Sequence, residues 1–495
     1  MADNYPEQQV RSNATTRTEP RISHDSERRL LPCRSAYISV EKCSMETWTG
    51  FCAGSIIDNI VFHFTGVAHE GSSVVKVNRR NLLANGELYF LCNFKAWRDL
   101  LACSNGCTSV LQHLARACGG ARGSTDGDVA EEQILEQLIS KSSSWPVRIQ
   151  KCALRRERVC LFLNRGDIVA NSIKLAVECG VTFGKNEPTG KAFTLEYQPD
   201  EQSDLTTQRL RLTRDVAAKA LGLHGHAVSA GENCAGRYVF TSKSEGPVDE
   251  GYEKCVCGVV KIPQSILSQS QSEFPIPKKE TRLTWEQYIK CKMSQLAELN
   301  EHKFIEGEKT GGRDFFLRDL ANAVVIFELM AVNPSRSVVI ENINLRNDRS
   351  VTNTRGASFA LYNTARIATI IAKHNERVLR GDYPSLPDIK DVDFSQLQEE
   401  EEWELIYNFI CEYPQMINNC LKCEPSFYVY PHVVCLFLSR LCQTFSVYYR
   451  KTRILTEGGD HLIPRMVARL YMLRALQVVF ENALDILGIK PVSRM

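Results

Sequence analysis

Residues 354–374 read TRGASFALYNTARIATIIAKH, and the reading of this stretch decides the fold of the second half of the chain. At 3.6 residues per turn, Phe359, Tyr362, Ile367, Ile370 and Ile371 fall on one broad apolar side, which predicts a buried helix entered through Gly356-Ala357-Ser358. Arg366 follows Tyr362 by one turn, with Lys373 and Arg377 beyond it. An aromatic ring and a guanidinium are thereby presented together, a pairing that suits an unstacked base beside a phosphate.

The residues also resemble a known family. In arginyl-tRNA synthetases the helix opening the anticodon-binding domain reads P-Y-L-Q-Y-A-x-A-R, and residues 358–366, SFALYNTAR, keep its aromatics, alanine and arginine but not its proline or glutamine. The similarity continues through Glu412-Tyr413-Pro414, through FSVYYRKTRIL at 445–455, and to the closing ALDILGIKPVSRM at 483–495, which is like the family's G-L-x-L-L-G-I-x-x-P-x-x-M. The resemblance implies a C-terminal helical anticodon-binding bundle of the DALR type over 351–495. The D-A-L-R letters themselves are represented by Arg474-Ala475-Leu476-Gln477, so that label rests on the surrounding pattern.

A chain of 495 residues can bury a sizeable core, and its formal net charge of +2 means that any nucleic-acid site must be a local patch. Nineteen cysteines without a preceding apolar signal segment are expected to be reduced thiols, placing the protein in the cytoplasm. No run approaches the length needed to cross a bilayer, so no membrane partner is expected. Residues 1–29 are polar and read as a disordered tail. Residues 30–118 read as an N-terminal α/β region, with strands at 56–66 and 88–94 and a helix at 110–116. Lys76, Arg79 and Arg80 form a basic cluster read as a solvated loop. A Gly-rich linker at 119–128 leads into an expected α/β core over 119–350, with a helix at 129–141, a strand at 160–163 and a helix at 168–179. Further runs predict a strand at 252–262, helices from Trp285 and at 316–329, and a strand at 335–343.

The catalytic signatures of the synthetases depart in this core. Their H-x-G-H-L-R-S-T segment aligns with residues 206–213, where Leu210 and Arg211 match but the histidine positions hold Thr206 and Arg209 and the glycine is Gln208. The donors that would face developing charge on a phosphate are missing. His224 and His226 lie in the loop leaving the helix, in the wrong register. The sequence Lys292-Met293-Ser294-Gln295 resembles the second ATP signature but sits inside a helical run from Trp285 rather than on a mobile loop. No catalytic residue is therefore assigned, and the core is read as a degenerate class I synthetase-like, Rossmann-type α/β fold. No glycine-rich turn has the strand, helix and acidic partner of a dinucleotide site, so no cofactor is expected. Cys103 with Cys107 and Cys255 with Cys257 each supply half of a zinc site at most, and no metal is assigned; Cys420 and Cys423 form a lone C-x-x-C, whose redox reading needs a thioredoxin-like βαβ setting that an all-helical neighbourhood denies.

Toward the C-terminus the charge changes sign: residues 413–495 hold ten Lys and Arg against five Asp and Glu. Helical spacing puts Val434, Phe437, Leu441, Phe445 and Tyr448 on one core stripe, and Met466, Leu470, Leu473, Leu476, Phe480, Leu484 and Leu487 on another. Candidate RNA contacts are then Phe359, Tyr362, Arg366, Arg440, Tyr449, Arg450, Lys451 and Arg453. The four acids at 399–402 read as a solvated face, or one that meets a basic protein. The C-terminal arrangement is further similar to that of non-catalytic DALR-domain proteins related to the synthetases. That resemblance implies an adaptor that holds arginine tRNAs, not DNA, and presents the anticodon loop to a partner methyltransferase forming 3-methylcytidine. Two alternatives stand beside it, a divergent but active arginyl-tRNA synthetase and a protein scaffold without RNA binding.

Overall fold

The computed structural model describes residues 51–69, 71–101, 106–117, 127–229, 234–262, 283–300, 310–340, 352–456 and 459–491. The expected tail at 1–29, the start of the N-terminal region, Cys103 and the Gly-rich linker up to 126 lie outside these residues.

The N-terminal unit contains α1 (Ala53–Thr65), β1 (Val75–Val77), α2 (Leu82–Asn85), β2 (Leu88–Leu91), α3 (Phe94–Trp97), α4 (Val110–Ala117), α5 (Gly127–Ser142), β3 (Ile149–Arg155) and β4 (Arg158–Leu163). The strands form an antiparallel sheet in the order β1-β2-β4-β3. Two expectations are corrected here. The strand expected at 56–66 is the helix α1: Ile56, Ile60, Val61 and Phe64 are buried at helical spacing, and the helix stops at Gly66, whose φ of 69° is left-handed. Phe64 packs edge-on against Phe90 and Trp97, and tertiary packing overrides the strand preference of the β-branched residues beside it. The boundary expected at 118/119 also fails, because β4 inserts between β2 and β3 and carries the first sheet through to Leu163.

The α/β core follows with α6 (Arg165–Cys179), β5 (Ala192–Tyr197), α7 (Asp204–Leu223), β6 (Ala227–Val228), β7 (Gly236–Thr241) and β8 (Glu253–Val256). Its sheet is wholly parallel, in the order β6-β5-β7-β8, with α7 crossing over between β5 and β6. The strand expected at 252–262 is two strands, because β9 (Val260–Lys261) leaves this sheet and pairs in parallel with β10 (Val338–Val339). Gly258 lies at the break, where a Cβ would stand 2.3 Å from the carbonyl carbon of Arg336. Helices α8 (Trp285–Asn300) and α9 (Thr310–Met330) complete this part.

The C-terminal bundle is built from α10 (Thr352–Leu379), α11 (Glu400–Leu405), a π-helical turn at Ile406–Cys411, α12 (Tyr413–Cys420), a short β11 (Leu421–Lys422) and β12 (Tyr428–Val429) ribbon, α13 (Pro431–Lys451) and α14 (Ile463–Ile486). Both stripes read from the sequence are buried throughout. Gly356 does not start α10 but lies inside it, where a Cβ would meet the Phe327 ring at 2.4 Å, so the glycine lets α10 approach α9 closely. The architecture is thus α/β followed by an all-α bundle, as the sequence implies.

Candidate RNA-binding groove

Helices α10 and α13 pack side by side, and their exposed edges enclose a groove of about 610 Å³. Its centre is Arg366. The guanidinium carbon lies 4.3 Å from the centre of the Tyr362 ring and 4.2 Å from that of Tyr449, so the cation is stacked between two tyrosines from different helices. Such contacts contribute about 0.5–2 kcal/mol each, depending on desolvation. One turn of spacing on α10 brings Tyr362 over Arg366, and Arg366 Nη2 donates to the Tyr362 hydroxyl at 2.6 Å. Asn363, fully buried, fixes the pair of helices: its amide nitrogen donates to the Phe359 carbonyl at 2.9 Å, and its oxygen accepts from Ser446 Oγ at 3.2 Å and Arg366 Nη1 at 3.4 Å.

Tyr362 is 39% exposed and does not belong to the apolar side of α10 where the sequence put it. The buried side runs instead through Ala357, Ala360, Leu361, Thr364 and Ile367. The inward ring face of each tyrosine is taken by Arg366, so a stacking base would use the outward face.

Lys373, Arg450, Lys451 and Arg453 rim the groove, all four exposed. Lys373 comes from α10, two turns beyond Arg366. Arg450 Nε donates to the Ser446 carbonyl at 3.2 Å, and Lys451 is ion-paired with Glu401. The backbone carbonyl of Arg453 accepts from Arg469 Nη1 at 3.1 Å. Six of the eight expected contact residues therefore meet at one place. The other two do not. Arg440 is exposed on α13, but the nine residues that separate it from Tyr449 turn it to the opposite side of the helix. Phe359 is half-buried against the core two turns before Arg366 and does not line the groove. Phe445 and Tyr448 are fully buried, as their stripe predicted. Asn363 and Ser446, the screws of the assembly, carried no sequence signal beyond a polar residue inside a helix.

The acidic run is not a solvated face. Glu399 and Glu402 form a reciprocal cap at the start of α11. Glu402 is fully buried and accepts from Arg469 Nε at 2.7 Å and from the Tyr448 hydroxyl at 3.2 Å. Glu400 accepts from the Leu83 amide at 2.9 Å and Glu404 from the Asn81 amide at 3.3 Å. Nearby, the buried carboxylate of Glu87 accepts from the Leu163 amide, Arg165 and the Trp403 indole at 2.8–3.1 Å. Arg79, from the basic cluster read as a solvated loop, pairs with Glu412 at 3.1 Å. Burial pushes the carboxyls of Glu87, Glu404 and Glu412 above their usual range. These acids join the N-terminal unit to the bundle.

In the α/β core, both positions aligned with the synthetase histidines make contacts to backbone groups of neighbouring segments. Thr206 Oγ1 accepts from the Val260 amide at 3.0 Å. Arg209, 1% exposed, gives its guanidinium to four backbone carbonyls: those of Gly258, Arg336 at 2.7 Å, Asn333 at 3.1 Å and Val332 at 3.3 Å. Burial lowers its pKa to about 10. Lys292 is buried inside α8 and paired with Glu328 at 3.3 Å, away from any loop. His224 faces the Ile417 carbonyl at 3.2 Å, and burial lowers its pKa. Burial raises the Cys255 and Cys257 thiols to about 12 and about 11. Among the described residues no three metal-capable side chains converge, and no helix is long and apolar enough to cross a membrane.

Residues 360–495 match the family model described as DALR anticodon binding domain. The chain is 29% identical over 248 residues to DALR anticodon-binding domain-containing protein 3 of Danio rerio, covering 48% of this chain and 41% of that protein. The Mus musculus protein of the same name is 30% identical over 222 residues, covering 43% and 40%. The aligned stretch thus spans about two fifths of the length of these relatives. An arginine–tRNA ligase of Saccharolobus solfataricus is 27% identical over 191 residues, covering 38% of this chain and 26% of that one. Among solved structures, Thermus thermophilus arginyl-tRNA synthetase superposes with a TM-score of 0.53 at 10% identity, covering 90% of this chain and all of that one. Arginyl-tRNA synthetase from Plasmodium falciparum gives 0.52 at the same identity and coverage. The fold is therefore a synthetase-like α/β core followed by a DALR-type helical bundle.

Proposed function

We propose that the protein binds arginine tRNA through the α10–α13 groove and acts as a non-catalytic adaptor, presenting the anticodon loop to a partner methyltransferase that forms 3-methylcytidine in the cytoplasm. The observation that carries the reading is the stack of Arg366 between Tyr362 and Tyr449 at the floor of a groove rimmed by four cations. Cations fix a phosphate backbone without reading it, and outward tyrosine faces take unstacked bases of a loop. The names of the relatives, DALR-domain proteins and arginine–tRNA ligases, support arginine tRNA as the ligand. Arg209 supports the absence of catalysis, because its fork is spent on backbone carbonyls at the helix start where the synthetases place their histidines.

Binding of the purified protein to tRNA isoacceptors tests the first part. Stacking contributes about 1–3 kcal/mol per base, so Arg366→Ala combined with Arg453→Ala is expected to weaken arginine tRNA binding at least about tenfold in a folded protein. Unchanged affinity would place the RNA elsewhere. Recovery of the protein from cytosol, with sequencing of its RNA and identification of its protein partners, tests the adaptor role. Arginine-dependent aminoacylation by the purified chain would refute the non-catalytic reading.

A further inference from the structure

We propose that the outer face of α13 is the docking site of a partner protein, and that its occupant is an amphipathic helix carrying carboxylates. This rests on the adaptor reading above. Leu436, Arg440, Gln443 and Val447 follow one another at intervals of four, three and four residues. At about 100° per residue they fall within about 60° of the helix circumference, on the side turned away from Tyr449. All four are exposed, Leu436 by 50% and Val447 by 37%. A single exposed leucine is ordinary, but intervals of four and three are those at which one helix receives the side chains of another. His432 stands one turn before Leu436 on the same face, and the row continues through the ribbon that leads into α13. Tyr428, 54% exposed, is stacked on Tyr430 at 6.1 Å, and Tyr430 meets His432 edge-on at 5.8 Å. Aromatic rings and an arginine among aliphatic side chains make up the composition of a protein interface.

Charge identifies the occupant. None of the 21 residues of α13 is Asp or Glu. Arg440 has neither a hydrogen bond nor an ion pair among the described residues. Lys422, also exposed, lies across the ribbon from Tyr428. A carboxylate set opposite Arg440 therefore meets no competing acid on this helix, and a basic partner is repelled. RNA fits the face less well, because Arg440 is the one arginine or lysine on α13 before Arg450 and the aliphatic side chains offer bases no ring to stack on. Leu436 and Val447 stand about 16 Å apart along the axis at 1.5 Å per residue, so an occupant that covers both needs at least about three turns of helix. RNA at Tyr449 and a protein over Arg440 use different sides of α13, so one helix can hold both at once, as an adaptor must.

The test places the photo-crosslinker benzoylphenylalanine at position 436 of the full chain in cells, with position 379, 89% exposed at the end of α10, as the control. Position 436, and not 379, is expected to attach to a helical segment of another protein with Asp or Glu within one turn of the attachment point. Attachment to RNA, to a second copy of this chain or to nothing, or equal attachment from position 379, would overturn the proposal. In parallel, Leu436→Asp combined with Val447→Asp, and Arg440→Glu alone, should each lower the 3-methylcytidine-forming activity that copurifies with the protein at least tenfold. Their dissociation constants for arginine tRNA should stay within twofold of wild type. Undiminished activity would overturn the docking face, and Arg440→Glu decides the point should the double variant melt early. A wild-type protein that forms the attachment from position 436 but carries no such activity would refute the methyltransferase assignment and support the docking face. Failure of wild type to bind arginine tRNA, with the attachment formed, would refute the RNA reading alone.

Discussion

Replacing Arg209 by alanine isolates the claim that the corner of the core where α7 meets the β8–β9 break and the turn before β10 is held together by one guanidinium. The side chain is 1% exposed and donates to the carbonyls of Gly258, Val332, Asn333 and Arg336. These carbonyls belong to two segments, the break between β8 and β9 and the turn before β10, which are distant in sequence and joined here across α7. A hydrogen bond involving a charged group contributes about 1.5–3 kcal/mol, so two of the four at the low end already give about 3 kcal/mol. Arg209→Ala would leave those carbonyls without their donor at a buried site. Hydrogen exchange reads the effect locally, at the Val338 and Ile340 amides that bond the Val259 and Lys261 carbonyls. Their protection is expected to fall by about two orders of magnitude, the equivalent of about 3 kcal/mol. Arg209→Lys should lose nearly as much, since one ammonium cannot span acceptors that a planar fork reaches from two nitrogens. Protection unchanged within a factor of three would refute the argument.

Two further perturbations follow from buried charge. Glu402→Ala leaves the Arg469 guanidinium buried without its carboxylate and strips the Tyr448 hydroxyl of its acceptor, so it should destabilise the bundle by about 3–5 kcal/mol in urea titration; a loss below 1 kcal/mol would mean that water reaches Arg469. His374 lies 2% exposed in α10, stacked on Tyr383, with Nε2 buried and unpartnered, and burial lowers its pKa. The unfolded chain therefore takes up a proton below the ordinary imidazole value of 6.5 that the folded chain refuses, and stability falls as pH drops through that value, by at most about 1.4 kcal/mol per pH unit. His374→Phe should flatten the melting-temperature profile between pH 7 and 5, and an unaltered slope would assign the titration to other groups.

The bundle was legible in the sequence because long amphipathic helices announce themselves: the stripes of α13 and α14 need no partner to be recognised, and every member is buried. The helix α1 was not, because a run of Ile, Val and Phe fits a strand or a buried helix equally until the packing surface is known. Six groove residues could be found from aromatic and basic residues at the edge of a stripe. Arg440 could not be rejected without counting its turn against Tyr449. What the sequence hid most thoroughly was pairing between distant segments. Nothing near Glu87 points to Trp403, and nothing in the acidic run 399–402 points to Leu83 or Arg469. Gly356 suggested a helix start because glycine often lies at helix ends, whereas its actual role depends on a phenylalanine of another helix.

The near-neutral total charge acquires its meaning from that hidden pairing. A net charge of +2 distributed evenly would give RNA no foothold. Yet Glu87 and Glu402 are fully buried, and Glu400, Glu404 and Glu412 are turned inward onto backbone amides or Arg79. An acid satisfied inside the protein contributes little to the field over the groove, because its charge is countered at hydrogen-bond distance, while Lys373 and Arg450 face solvent. Of the acids in the run 399–402, Glu401 is the one whose ion-pair partner rims the groove. The same short helix that fastens the N-terminal unit to the bundle thus also sets the charge at the groove's edge. A change that loosens α11, such as loss of the Glu400 contact to Leu83, should therefore register in the salt dependence of RNA binding as well as in the melting curve, and a change in melting alone would show that the two roles of the helix are independent.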